Sequence, residues 1–140
     1  MKIYTSYWAQ VRNFPTNLVG LNTTVWPPKY RPLGQDKRGV WVLNCRPLIP
    51  GHECEYLCRG ACNPPHPDDC AFLQTYRKQL DKLNFSEFYS YMKELSKQHN
   101  NADFAFIVFE PPTRACSERH IIQEWFKDNK IDIEEWHPNI

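Results

Sequence analysis

The 140-residue sequence has no long hydrophobic run. Its longest apolar stretch, FAFIVF at residues 104–109, falls far short of the roughly 20 residues a membrane-spanning helix needs. The opening residues, MKIYTSYWAQVRNF, lack the continuous apolar segment of a secretory leader. The expectation is therefore a cytoplasmic protein with no membrane partner. An excess of one charge is also missing: 17 Lys and Arg stand against 16 Asp and Glu, for a net +1. Nucleic-acid binders usually carry a basic excess, so total charge gives no argument for such a partner. A local basic groove is not excluded. No internal repeat and no linker interrupt the chain, which reads as a single domain over residues 1–140.

What is present supports a folded domain. The sequence is 41% apolar and 14% aromatic, which excludes disorder. A chain of this length buries roughly 70% of the surface its unfolded form exposes. Twelve prolines gather in clusters: Pro27, Pro28 and Pro32; Pro47 and Pro50; Pro64, Pro65 and Pro67; Pro111 and Pro112. Each cluster marks a loop, because proline fixes φ and removes a backbone donor.

Residues 2–6 (KIYTS) read as a first strand. YWAQVRNF then sets Tyr7, Val11 and Phe14 at helical spacing, and Pro15 ends that helix. Residues 21–26 (LNTTVW) form a second strand candidate stopped by Pro27. Residues 39–45 (GVWVLNC) form a third. Asp68 and Asp69 stand where an N-cap belongs. The helix they open puts Phe72, Leu73, Tyr76, Leu80 and Leu83 on one face. A second helix opens at Ser86, with Glu87 favoured by the helix dipole and Phe88, Tyr91, Met92 and Leu95 inward. HNNAD at residues 99–103 breaks it. FAFIVFE is the clearest strand, and its unbroken apolar run predicts burial on both faces. SERHIIQEWFKDN is a helix with Ile121, Ile122, Trp125 and Phe126 inward, and IDIEEW is a last edge strand. Alternating strands and helices predict an α/β fold: a single layered domain, its mostly parallel sheet flanked by helices, with a cysteine-rich metal-binding insertion loop at residues 45–70.

That insertion carries CEYLCRGACNPPHPDDC, with Cys54, Cys58, Cys62 and Cys70. In a reducing compartment, closely spaced cysteines are more often metal ligands or catalytic thiols than disulfides. Four thiolates on one zinc, each at about 2.3 Å, lie less than about 4 Å apart. A straight helix would hold Cys54 and Cys62 about 12 Å apart, so the helix must stop between them, and Gly60 supplies the break. The Asn-Pro-Pro-His-Pro run then lets Cys70 return. A structural zinc on Cys54, Cys58, Cys62 and Cys70 is the expectation. An iron–sulfur cluster is the alternative, although the spacing matches neither ferredoxin pattern. Disulfides or unligated thiols are a third reading. His52 and His66 read as solvated loop histidines. Whether Cys45, His52 or His66 replaces a cysteine ligand stays open.

A second constellation lies in FAFIVFEPPTRACSERHIIQEW. Glu110 ends a buried strand, Cys116 stands at the start of the following helix, and Arg119 and His120 come next. A helix N-terminus offers unpaired N–H groups to an anion. Its field, with a nearby arginine, also favours a thiolate. Ligands in open α/β sheets tend to bind at the carboxyl ends of strands. If the first strand runs parallel beside this one, Ser6, Tyr7 and Trp8 line the same crevice. A structural reading competes: Cys116 buried, Arg119 paired with Glu110 or Glu135, and Glu118 complementing the helix dipole.

The blocks KIYTSYWAQVRNFP and FIVFEPPTRACSERHIIQEWF, with the YRKQL helix between, resemble the family called domain of unknown function 488 over about two thirds of the chain. The resemblance implies an α/β domain whose recurring polar positions fall on Tyr7, Glu110, Cys116 and Arg119. Its members often carry Cys-His-Arg, where this chain has Cys116-Ser117-Glu118-Arg119-His120. The cysteine-rich insertion is not typical of the family, so the resemblance implies neither metal nor reaction.

Two functions follow as expectations. In the first, the protein is an enzyme acting on an anionic or nucleotide-like substrate. Arg119 neutralises the substrate's charge, Glu110 or His120 moves protons, and Cys116 acts as nucleophile or binding thiol. Tyr7 and Trp8 stack on a flat base, and zinc shapes one wall. In the second, the protein is a non-catalytic module binding nucleic acid or protein. Its contact surface is then the zinc loop and residues 26–46, where Lys29, Arg31, Lys37, Arg38 and Arg46 interleave with Trp26, Tyr30 and Trp41.

Overall fold

The computed structural model describes residues 1–54, 57, 70–113 and 117–138. Its centre is a six-stranded sheet in the order β3-β4-β2-β5-β1-β6. The strands are β1 Ile3–Tyr7, β2 Leu18–Asn22, β3 Gly34–Gln35, β4 Trp41–Asn44, β5 Asp103–Val108 and β6 Glu134–Glu135. β5 pairs in parallel with both β1 and β2, β4 continues in parallel beside β2, and β6 lies in parallel outside β1. Only β3 runs antiparallel among the described strands. The α/β class and the mostly parallel sheet are as expected.

β5 sits in the middle because its sequence tolerates no water on either side. Phe104, Ala105, Phe106, Ile107 and Val108 are all fully buried. Phe104 and Phe106 face a core built with Val19, Leu21 and the inner faces of three helices. Ala105 and Ile107 face a smaller core with Trp8, Val11, Phe14 and Val42. The helices are α1 Ala71–Asp81, α2 Phe85–Gln98 and α3 Glu118–Asp128. They cover one face of the sheet, and the other is covered by a 3-10 turn and loops. Gly20 keeps the strands close at the sheet centre. A Cβ there would meet Ile107 Cδ1 at 2.5 Å and Val42 Cγ2 at 3.1 Å, so a side chain would push β2 away from its neighbours' side chains.

Several boundaries differ from the expectations. Residues 8–13 form a 3-10 helix, Trp8–Asn13, and not an α-helix. Its inward pair is Trp8 and Val11, spaced by three as that geometry requires, while Tyr7 belongs to β1. The second strand begins three residues earlier than residues 21–26 and ends at Asn22. Thr23 and Thr24 are β-branched and read as strand, but they fold over the strand end. The first long helix has Cys70 at its N-cap with no side-chain cap bond; Asp68 and Asp69 lie outside the described residues. The second is capped by Asn84, whose side chain accepts from the Glu87 N–H. Tyr91 of that helix points outward, 65% exposed. Asn100 and Asn101 both adopt left-handed backbone, φ 58° and 60°, which stops α2 at the HNNAD segment.

Among the described residues no helix is long and apolar enough to cross a membrane. Most of the cysteine-rich insertion, including Cys58, Cys62 and His66, lies outside them.

Candidate active site at the carboxyl edge of the sheet

The connections leaving the strands define a crevice. β1 and β2 both lead across the 3-10 face toward β4, whereas β5 leads through α3 on the other face toward β6. The paths diverge at the carboxyl end of β5, the place where open parallel sheets leave room for ligands. The residues there are Ser6 and Tyr7 from β1, Asn22 to Thr24 from β2, Phe109 and Glu110 after β5, and the first turn of α3.

This edge concentrates buried polarity. Ser6, Asn22, Thr23, Thr24, Ser117, Glu118 and Arg119 are all less than one tenth exposed. On the β2 side, nearly every group is paired. Asn22 Oδ1 accepts from the Thr24 N–H at 2.9 Å, and Asn22 Nδ2 donates to Asn44 Oδ1 at 2.8 Å. The Trp8 indole donates to Thr24 Oγ1 at 3.2 Å. Thr23 Oγ1 donates to the Ile107 carbonyl at 2.8 Å. Thr23 and Thr24 are therefore held rigidly across the end of β5.

Arg119 enters from α3, whose N-cap Ser117 accepts from the Arg119 N–H. Its Nε donates to Glu135 Oε1 at 2.6 Å, and its Nη2 donates to the Glu110 carbonyl at 2.7 Å. The Tyr7 ring lies 5.8 Å from the guanidinium carbon. Thr5 Oγ1 donates to the same Glu135 and accepts from Gln123. The pairing of Arg119 with Glu135, foreseen as the structural reading, is thus real. It does not use the whole guanidinium. Arg119 Nη1, Glu110 Oε2 and Ser6 Oγ are buried without a hydrogen-bond partner. Such orphaned groups are uncommon, and each asks for a ligand, water or chemical role.

Glu118 is the residue that sequence reasoning undervalued. Dipole complementarity at a helix start accounts for a glutamate there, so nothing in the pattern marked it out. In the fold it is only 8% exposed. Burial pushes its carboxyl up to about 7, and the neighbouring Glu110 charge adds to the rise. Its own backbone N–H and the Arg119 guanidinium oppose the shift. A carboxylic acid held near neutrality can both give and take a proton. It lines a cavity of about 230 Å3 at the ends of β2 and β5, with Thr24, Trp26, Cys54, Phe72 and Phe109 among the walls.

The other sequence candidates are placed as follows. Tyr7, Glu110 and Arg119 meet at one strand edge, whereas Ser6, level with Ile107, faces the 3-10 side of the sheet. His120 is half-buried on the next position of α3. Cys116 lies outside the described residues. Trp8 is 2% exposed and engaged with Thr24, so it supports the site from below and is not open for stacking. Of the proposed metal ligands, Cys54 and Cys70 are buried free thiols, and Cys58 and Cys62 lie outside the described residues. Among the described residues no group of three or more His, Cys, Asp or Glu is arranged to hold a metal. Cys45 is a core thiol pushed up to about 12 by burial, against a backbone hydrogen bond from Leu48. In the basic–aromatic stretch, Arg31 Nη2 donates to the Val40 carbonyl and Arg38 to those of Val11 and Phe14. Arg38 thereby fastens the loop to the 3-10 segment, and Arg31 ties the loop to its own return.

Fold and site together define an α/β protein with buried, partly unpaired polar groups at the carboxyl edge of a mostly parallel sheet. Comparison with known families, with curated proteins and with solved structures finds no match to this chain.

Proposed function

We propose that the protein is an enzyme acting on an anionic, nucleotide-like or nucleic-acid-like substrate at this crevice. The observation that carries the reading is the pair of buried, partnerless groups Glu110 Oε2 and Arg119 Nη1, beside a glutamic acid held near neutrality. Arg119, oriented by Glu135, presents its remaining N–H edge to a substrate oxyanion. Glu118 holds a transferable proton, and Glu110 accepts one from an attacking hydroxyl or water. Cys116, two residues before Glu118 in sequence, serves as nucleophile or binding thiol, and His120 assists proton movement.

A structural zinc on Cys54, Cys58, Cys62 and Cys70 belongs to the same reading. Its support is compositional, together with Cys54 standing in the cavity wall. Four thiolates leave no open coordination position, so the metal shapes the wall. Elemental analysis with a visible spectrum separates the choices. Zinc in a colourless sample agrees with the proposal, and iron in a brown one replaces it with an iron–sulfur cluster.

The test of activity is incubation with a panel of nucleotides, nucleotide sugars and short oligonucleotides, read by mass spectrometry. Turnover is expected from the wild type and lost in Glu118→Gln and Cys116→Ala, with melting curves preserved. Turnover undiminished in both variants contradicts the proposal.

A binding-module reading has one specific support. Trp26 and Tyr30 are 78% and 74% exposed, as stacking residues for single strands are. Oligonucleotide binding that weakens steeply with salt, without turnover, favours it.

A further inference from the structure

The cavity beside Glu118 has an unusual lining. Trp26 is largely exposed and Phe109 is 46% exposed, yet both turn part of their surface into one small apolar space with Phe72. At about 230 Å3 it falls below the roughly 300–1,000 Å3 of drug-sized pockets, so it takes one ring system. Among the described residues the lining is almost wholly apolar, and Glu118 is the one carboxylic acid in it. Flat apolar walls around a hydrogen-bonding group suit a planar guest with apolar faces and a polar edge. A sugar is not flat and brings hydroxyls on every side, a lipid chain lacks the edge, and a nucleobase has both flat faces and a polar edge.

We propose that this cavity holds one unpaired nucleobase, stacked against Trp26 and Phe109, with its edge hydrogen-bonded to Glu118. The proposal rests on the reading of the crevice as a site for nucleotide-like substrates and adds where the base sits and what reads it. The base comes from a free nucleotide or from a single strand, because a base stacked inside a duplex cannot reach such a pocket.

The test is calorimetric titration of the full chain with AMP, CMP, GMP, UMP, ribose 5-phosphate and a short single-stranded oligonucleotide. Nucleotides are expected to bind about tenfold or more tightly than ribose 5-phosphate, the usual scale of base stacking. Trp26→Ala and Phe109→Ala each weaken nucleotides about tenfold and leave ribose 5-phosphate unchanged. Both side chains are substantially exposed, and thermal melts of the two variants check that the fold stands. Glu118→Gln, which exchanges an acid for an amide, alters the ranking among the four bases, whereas Trp26→Ala weakens all four together. Tighter binding of the oligonucleotide identifies a strand as the source of the base, and tighter binding of a mononucleotide identifies the free form; either supports the pocket. The proposal is overturned if ribose 5-phosphate matches the nucleotides, if both aromatic variants bind like wild type, or if no nucleotide or oligonucleotide binds. Base binding without turnover leaves the pocket standing and removes the enzyme reading. Turnover of an anionic substrate that carries no base, with no nucleotide binding, sinks the pocket alone.

Discussion

Arg77 and Arg119 both answer carboxylates, and the two regions they occupy put that chemistry to different ends. Arg77 lies on the outer side of α1 and reaches Asp81 at 3.0 Å, Glu124 at 2.7 Å and Asp128 at 2.6 Å. All three partners are more than half exposed, and the network joins α1 to α3 under solvent screening. Arg119 lies under the sheet edge with its side chain 2% exposed and a single carboxylate partner, Glu135, at 2.6 Å. The surface arginine meets three acids with its three nitrogens. The buried one leaves Nη1 unpaired, beside a second acid that stays largely protonated up to neutral pH. An unpaired buried group is costly, so Nη1 calls for a further partner at the carboxyl edge, a ligand or a water.

The contrast can be broken by mutation. Arg119→Ala leaves Glu135 buried without its cation, and removing one member of a buried pair costs about 3–5 kcal/mol. Chemical denaturation reads the loss directly. Equal stability of variant and wild type would show that the pair contributes nothing.

Glu118 gives the next largest effect, with opposite sign. Its folded value near 7 lies above the ordinary 4.5, so the folded chain holds an extra proton between those limits. Stability from this group is present below about pH 4.5 and is lost as pH rises through 7. Once ionised, the buried carboxylate carries a penalty of up to about 3 kcal/mol. Glu118→Gln therefore stabilises the protein at pH 8 and changes little at pH 4.5. Melting curves across that range check it, and a variant less stable than wild type at pH 8 counts against a strained acid. Arg77→Ala is expected to cost the least, about 0.2–1 kcal/mol for each exposed pair, and less again in high salt. A loss as large as that of Arg119→Ala would erase the distinction between the regions.

How much of this was legible in the sequence depended on how local each signal is. β5 and α3 declare themselves, because an unbroken apolar run and a helical apolar face need no knowledge of the rest of the chain. The gathering of Tyr7, Glu110 and Arg119 was legible too, once the first strand was set parallel to the central one. The end of β2 was not. Thr23 and Thr24 have strand-forming side chains, and only the Asn22 and Ile107 hydrogen bonds turn them over the strand end. Trp8 and Trp26 exchange roles for a similar reason. Both are tryptophans near a strand end, and it takes the Thr24 hydroxyl to hold one inside while proline-bounded loop geometry leaves the other out. Glu118 was explained too easily by the helix dipole. It shares a cavity wall with Trp26, Phe72 and Phe109, three distant segments that no local pattern connects.

The most direct measurement is a carbon-13 NMR titration of the Glu118 side-chain carboxyl, assigned by its absence in Glu118→Gln. A midpoint near 7, shifting when a nucleotide binds, is the predicted result. A midpoint near 4.5, unmoved by any nucleotide, would contradict the claim that this edge of the sheet holds a poised acid.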